Sequence, residues 1–238
     1  MLQLSQHNCK NLLLRSLAQD DFDALVPHLQ HVDYARGDSI IQSGETIETI
    51  VFPESGIFSI TLSSSDNRKI EVGIYGREGL SDGSIFAGIH KIPHDSFVQV
   101  PGSGLRISAE VLLEIATERP VFHRSAIRWL HISHLQTAQT ALANGTYNVE
   151  ERLARWLLMC QDRIGPDVAL THDFLSVMLA VQRSTVTLAT HILEGARLIR
   201  ATRGNIRILN REGLLAIADG CYGSAEDEYE RIIGPFRY

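Results

Sequence analysis

The sequence predicts an α+β protein in three parts: a small antiparallel β-barrel or jelly roll, one long helix, and a helical unit that closes on a β-hairpin. Three observations carry this reading. Between about residues 32 and 107, β-branched runs alternate with turn signals at roughly the 8–12-residue spacing of all-β units. From Val121 to Ala143 there is neither proline nor glycine. Residues 170–195, LTHDFLSVMLAVQRSTVTLATHILEG, show two helical patterns across a short turn and run into an arginine-rich strand, glycine, strand sequence.

Composition bounds the answer. The 238 residues, 44% hydrophobic and 21% charged, suit one large or two modest domains at roughly 100–200 residues each. No stretch approaches the roughly 18 apolar residues of a membrane span, and no charged-then-apolar leader opens the chain. A cytoplasmic protein without membrane contact is expected. Cys9, Cys160 and Cys221 lie far apart with no CxxC spacing, which argues against a disulfide framework, a structural zinc or a cysteine-held cluster. Cys160 and Cys221 read as small apolar packing residues. No cofactor and no metal site is expected.

The net charge of −6 looks wrong for a nucleic-acid binder, but it is unevenly spread. Residues 1–145 hold 11 basic and 16 acidic residues, 146–223 hold 9 and 8, and 224–238 hold 2 and 4. Within 183–211 six arginines (Arg183, Arg197, Arg200, Arg203, Arg207, Arg211) face one acid, Glu194. Arginine donates bidentately to phosphates and guanine edges, so such a patch fits DNA contact.

Leucines at helical spacing mark residues 11–30, with Asp20 as the cap of a second short helix. Strands are expected at Ser39–Gln42, Thr49–Phe52, Ile57–Leu62, Ile70–Tyr75, Ser96–Val100 and Leu105–Ile107. The turns between them include Ser65-Asp66-Asn67, Gly76-Arg77-Glu78-Gly79 and Pro101-Gly102-Ser103-Gly104. A short helix follows Ser108, and Pro120 suits the first turn of the long one. At about 23 residues that helix spans roughly 35 Å, more than a small barrel needs to cover itself, so a seam with a second copy is expected. Its residues are Leu130 or Trp129, then Leu135, Ala138 and Leu142. Asn144-Gly145 reads as the hinge.

Beyond an amphipathic Val149–Asp162, Thr171 and Asp173 start a helix with Phe174, Leu175, Met178 and Leu179 on its apolar face. Ala180-Val181 turns, and Gln182-Arg183-Ser184-Thr185 opens a second helix with apolar Val186, Leu188, Ala189, Ile192 and Leu193. A small residue in such a turn lets two helices meet closely, the helix-turn-helix geometry. Its second helix begins with polar residues, the part such motifs put into the major groove. The hairpin from about Ile199 to Ile208 then reads as a wing. Candidate DNA contacts are Thr171, Gln182, Arg183, Ser184, Thr185, Thr187, Arg200, Arg203 and Arg207.

From about Asn11 to Tyr222 the chain resembles the Crp/Fnr family of bacterial transcription regulators. The carboxyl part carries the match: Arg152-Leu153-Ala154-Arg155-Trp156-Leu157-Leu158, Leu170-Thr171-His172-Asp173, Arg183-Ser184-Thr185-Val186-Thr187, Leu193-Glu194 and Arg203-Gly204-Asn205-Ile206. The amino part is similar through Asn11-Leu12-Leu13, Gly44-Glu45, Val51-Phe52-Pro53-Glu54-Ser55-Gly56 and Gly76-Arg77-Glu78-Gly79. The resemblance implies a cyclic-nucleotide-binding-like jelly-roll sensor domain (1–120), a dimerisation helix and hinge (121–145), a winged helix-turn-helix (146–223) and an acidic tail (224–238). It implies a homodimer on double-stranded DNA, with a small-molecule effector.

Departures from the family pattern are informative. Cyclic-nucleotide binders carry Gly-Glu and, about ten residues on, Arg-Ser or Arg-Thr. Here those places are Ser81-Asp82 and His94-Asp95, with Thr137 and Ala138 where the long helix would meet the base. Neutral His94 beside anionic Asp95 cannot replace a phosphate-clamping arginine. The expectation is therefore an effector pocket at Ser81, Asp82, His94, Asp95 and Thr137 that takes an unknown ligand other than a cyclic nucleotide, or a barrel that has lost its ligand. A cyclic-nucleotide-responsive regulator, or one gated by a metal or other small ligand in the barrel, is the alternative. The recognition helix departs as well: the family's glutamate and arginine positions are Ser184 and Leu188. His123, His131 and His134 share the long helix without a nearby acid or cysteine, so solvent or seam roles are expected. No nucleophile, phosphate-loop or metalloprotease motif appears, and no enzyme is expected. Glu226-Asp227-Glu228-Tyr229-Glu230 reads as a solvated tail, with RNA polymerase a candidate partner.

Overall fold

In the computed structural model, which describes residues 4–66 and 68–237, two short helices open the chain: α1 (Leu12–Arg15) and α2 (Gln19–Leu25). Asn11 caps α1, accepting the Leu14 amide, while its Nδ2 donates to the carbonyls of Pro53 and Gly79 at 2.8 Å each. One side chain thus starts the helix and ties it to the barrel. Asp20, expected as the α2 cap, sits inside that helix's first turn instead, where its charge favours the positive end of the helix.

Among the described residues seven strands follow: β1 (Gln30–Tyr34), β2 (Ser39–Ile41), β3 (Thr49–Pro53), β4 (Ile57–Ser63), β5 (Lys69–Tyr75), β6 (Asp95–Val100) and β7 (Gly102–Ser108). They pair antiparallel in two sheets, ordered β1-β7-β3 and β2-β6-β4-β5. Phe52, Phe58, Ile50 and Leu25 are fully buried in the barrel core. β1 escaped the sequence reading because its residues QHVDY are mostly solvent-facing. The stretch Pro101-Gly102-Ser103-Gly104, expected as a turn, is strand from Gly102 onward. A Cβ on Gly102 would lie 2.3 Å from the Ser55 carbonyl oxygen, so its glycine serves close backbone approach. Asn67, of the expected Ser65-Asp66-Asn67 turn, lies outside the described residues, as do the side chain of Asp173 and the last tail residue, Tyr238.

Helix α3 (Ala109–Glu118) leads into α4 (Pro120–Thr146), 27 residues long. Its inward face is Phe122, Ala126, Trp129, Ile132, Gln136, Gln139 and Ala143. Trp129 donates from Nε1 to the Leu80 carbonyl at 3.0 Å, and a Cβ on Gly79 would fall 2.2 Å from its indole ring. The alternative of Trp129 in a dimer seam is therefore corrected: at 100° per residue it lies opposite Ala138. The hinge also moves. Asn144-Gly145 continues the helix, since one interior glycine costs only about 1 kcal/mol. The chain breaks at Tyr147, where the side chain of Asn148 and Glu151 form a capping box that starts α5 (Val149–Ile164).

The carboxyl part comprises α5, β8 (Asp167–Val168), α6 (His172–Met178), α7 (Arg183–Gly195), β9 (Ile199–Thr202), β10 (Asn205–Ile208) and α8 (Arg211–Ile217). Its sheet runs β8-β10-β9. Its core takes in barrel residues: Ile57, Ile74 and Val100 pack with Leu153, Leu157, Val186 and Leu214. Charged residues are buried at this seam. Arg163 reaches Glu78 Oε1 from Nε at 3.0 Å and from Nη2 at 2.7 Å, with both side chains 1% exposed. Burial pulls the Arg163 pKa down, but Glu78, Glu226 and Asp162 together push it up and prevail. Glu71 accepts Ser59 Oγ at 2.6 Å and Trp156 Nε1 at 2.7 Å.

The acidic tail is not solvated as expected. It forms α9 (Ser224–Ile232), which packs on α4. Tyr229 is 1% exposed, donates to the Glu78 carbonyl at 2.8 Å, and meets the rings of Trp129 and Phe236 edge-on. Asp227, Glu228 and Glu230 stand around an apolar anchor of Ala225, Tyr229 and Phe236, while Glu226 is itself buried.

Candidate nucleic-acid interface

Helices α6 and α7 meet across Leu179-Ala180-Val181-Gln182. Thr171 caps α6, its hydroxyl accepting the Phe174 amide at 3.3 Å. Ala180 takes φ +50, the left-handed conformation that reverses the chain within a few residues. A guanidinium N–H of Arg152 on α5 donates to the Leu179 carbonyl and pins the turn to the helix behind it. Val186, Ala189, Thr190 and Leu193 form the buried face of α7. That orientation sets the opposite face in solvent.

On the outer side Gln182, Arg183 and Ser184 are exposed, and Thr185 and Thr187 are half-buried. Thr187 Oγ1 donates to the Arg183 carbonyl at 3.1 Å and lies 3.1 Å from His172 Nδ1. Its hydroxyl thus joins α6 to the first turn of α7. Glu194 accepts the Ala201 amide at 3.0 Å and so holds β9 beside α7. Arg200, Arg203 and Arg207 are all exposed on the hairpin. Arg200 and Arg207 stand directly opposite each other in the β9–β10 register, a like-charge pairing that disfavours the hairpin in isolation. Asp167 lies 3.7 Å from Arg207 and offsets part of it.

One cleft of about 580 Å³ joins three of the expected contacts, with Thr171, Arg183 and Arg203 among its walls and His172 and His191 beside them. The sixth arginine of the 183–211 cluster departs from the expected patch. Arg211 donates to Asp162 at 2.8 Å, Gln161 at 2.9 Å and Tyr222 at 3.0 Å, so it stabilises the inside of the domain. Sequence clustering could not separate it from the others. Its partner Asp162, in the last turn of α5, is fully buried, which only the structure reveals.

Ser81, Asp82, His94 and Asp95 are engaged within the barrel, and Thr137 within α4 itself. Ser81 is buried and its Oγ accepts the Val51 amide at 3.1 Å. Asp82 accepts the Ser84 amide at 2.6 Å and lies 3.3 Å from His94 Nε2. Asp95 accepts the Ser43 amide at 3.0 Å and sits 3.4 Å from Lys69. Thr137 donates to the Ser133 carbonyl at 3.0 Å. Clefts of about 530 and 600 Å³ open elsewhere on the sensor domain, either side of Ser108, one with Arg106 and Gln30 in its wall and the other with Glu48 and His90. On α4, Leu130 and Leu135 are half-buried, while Ala138 and Leu142 face solvent. Among the described residues no three His, Cys, Asp or Glu side chains cluster as a metal site. His131 instead lies 3.5 Å from Glu228 of α9, and His123 contacts the Phe86 carbonyl at 3.2 Å. Cys9, Cys160 and Cys221 are buried thiols, and burial pushes the Cys9 thiol up to about 11. No helix among the described residues is long and apolar enough to cross a membrane.

A helix, turn, helix and basic hairpin on a jelly-roll barrel define a class, and comparison with known proteins agrees. Residues 151–217 match the family of Crp-like helix-turn-helix domains. FixK2 from Bradyrhizobium japonicum superposes with TM-score 0.67 at 16% identity, over 79% of this chain and 96% of that one. A CRP-family transcriptional regulator of Thermus thermophilus gives 0.66 at 17%, over 81% and 99%. The c-di-GMP-responsive global regulator CLP of Xanthomonas campestris gives 0.65 at 15%, over 80% and 99%. No curated protein sequence matches the chain. Residues 151–217 thus carry a Crp-like helix-turn-helix domain, and the chain shares its fold with Crp/Fnr-family transcriptional regulators.

Proposed function

We propose that this protein is a homodimeric, sequence-specific regulator of transcription in the cytoplasm. In this reading α7 enters the major groove, the wing grips the flanking backbone, RNA polymerase is the downstream partner, and the sensor domain answers to a ligand other than cyclic AMP or cyclic GMP. The observation that carries the reading is the shared cleft of Thr171, Arg183 and Arg203 beside the opposed Arg200 and Arg207. A like-charge pair held outward on a hairpin is stabilised when a polyanion runs past it. Arg200, Arg203 and Arg207 are assigned to phosphates. Arg183 is assigned to a base edge, with Gln182, Ser184, Thr185 and Thr187 around it and Thr171 at the backbone. The solvent-facing side of α4, with Ile127, Ala138 and Leu142 exposed and Leu130 and Leu135 flanking them, supports a parallel seam that would space two recognition helices one DNA turn apart, roughly 34 Å.

Binding isotherms across salt test the reading. Neutralising any one of the wing arginines should flatten the slope of log K against log salt by about 0.9. Arg183→Ala should cost about 1–3 kcal/mol on a selected operator and relax preference at one base pair; equal losses on operator and random DNA would refute its role. Ala138→Glu, which sets a carboxylate in the seam, should give folded monomers that lose the operator. Thermal scans with cyclic AMP, cyclic GMP and c-di-GMP address the effector. A ligand at a hundred times its Kd adds about 2.7 kcal/mol to stability, so a dose-dependent shift with the first two would overturn the non-cyclic-nucleotide reading.

A further inference from the structure

The solvent face of α7 does not stay polar. Beyond Ser184, and at four-residue spacing, come Leu188 and Ile192, which are 59% and 47% exposed. Their sequence spacing places both with the helix's apolar residues, yet the face turned into the domain is Val186, Ala189, Thr190 and Leu193. Two large aliphatic side chains therefore stand in water on the one helix whose first turn is assigned to DNA. Folding gains nothing from leaving them there.

Their surroundings select the occupant. The stripe continues directly from Arg183 and Ser184, and exposed Arg200, Arg203 and Arg207 stand on the wing that packs against the same helix. An apolar protein surface gains little from that ring of positive charge, whereas a duplex is held by it. Inside a major groove the one apolar feature on a base edge is the 5-methyl group of thymine. Leu188 lies five residues past Arg183, roughly 7.5 Å along the helix axis, still within a groove about 12 Å wide. Ile192 lies a turn further, at the groove's rim.

We infer that Leu188, extended by Ile192, packs on thymine methyl groups in the major groove, so that the half-site carries thymine where this stripe faces the bases. The inference rests on the DNA-binding reading above and names what that surface recognises. It also accounts for an aliphatic residue at position 188, where hydrogen-bonding readout is not available to the side chain.

The test uses the full-length protein and duplexes selected from a random library. In the best duplex each thymine is replaced singly by uracil, which removes only the methyl group. One or two positions per half-site should weaken binding about four-fold, the equivalent of one buried methyl. Leu188→Ala should weaken the thymine duplex by a similar factor and abolish the difference between thymine and uracil at one of those positions. Because the side chain is exposed, the variant should keep its melting temperature and dimer mass. Selection of an operator with no uracil effect, or with the same effect in Leu188→Ala, overturns this inference and leaves the DNA-binding reading standing. Failure to select any sequence overturns both. A change of oligomeric state in Leu188→Ala would assign the stripe to a protein contact and likewise overturn it.

Discussion

Arginines do opposite things at the two ends of the carboxyl domain. Where α5 meets the barrel, Arg163 is sealed against Glu78 at 2.7 Å, and where α8 meets α5 the part-buried Arg211 pairs with Asp162 at 2.8 Å. On the wing, Arg200 and Arg203 reach into solvent and Arg207 lies near a single exposed acid at 3.7 Å. The difference is in what removal leaves behind. Deleting one member of a buried pair strands the other in a medium that cannot solvate it. Deleting an exposed arginine strands nothing in the protein, and the effect appears only when DNA is present. One residue type therefore serves as a structural rivet where it is buried and, in the proposed function, as a DNA contact where it is exposed.

The largest expected effect follows from the rivet. Glu78→Gln keeps the side chain's shape but leaves the fully buried Arg163 without its 2.7 Å counter-charge. A cost of about 3–5 kcal/mol is expected, read by urea unfolding. Arg203→Gln, measured beside it, should change stability by no more than about 0.5 kcal/mol while weakening DNA binding. Similar destabilisation by both substitutions would break the comparison.

A smaller effect concerns Glu71 at the same junction. Burial pushes its carboxyl up to about 7 from 4.5, and the Ser59 and Trp156 hydrogen bonds, with Arg155 and Arg163 nearby, only partly oppose that. In the folded state the group therefore keeps its proton while the unfolded chain releases it. The stability it contributes is complete below pH 4.5 and is lost as pH rises through about 7. At about 1.36 kcal/mol per pH unit the loss is about 3 kcal/mol at most. Glu71→Gln, neutral at all pH, should gain on the wild type between pH 5 and pH 8. If the variant instead falls behind at pH 8, the carboxylate is ionised and held by the arginines.

These contrasts also explain which parts were legible in the sequence. Alternation, turn residues and caps are local signals, and they placed most of the barrel strands and the helix-turn-helix within a residue or two, and the start but not the end of α4. Glu78–Arg163 and Tyr229–Glu78 join residues 85 and 151 positions apart, and nothing local marks such pairs. The tail was read from its acids, although Tyr229, Ile232, Ile233 and Phe236 carry an apolar signal that would have found its docking. Likewise the exposed Leu188 and Ile192 share the helical spacing of core residues. Only the packing of the α7 face against Leu175 and Ile206 in the domain core separates them.

The smallest expected effect lies between the two regions, at the turn itself. Ala180 holds φ +50, a conformation that crowds its Cβ against the backbone and costs about 1–2 kcal/mol for a non-glycine residue. Glycine removes that cost but adds conformational freedom to the unfolded chain, worth about 0.4–1 kcal/mol in the other direction. The alanine methyl is exposed, so little burial is forgone. Ala180→Gly should therefore stabilise the protein by about 0.5–1 kcal/mol, a rise of roughly 1–4 °C in Tm for a chain of this size. Operator affinity and its salt slope should stay unchanged, because the substitution touches neither the arginines nor the recognition face. A loss of affinity at unchanged stability would mean that the left-handed turn holds α7 in register for DNA, and that stability and recognition in this domain cannot be varied separately.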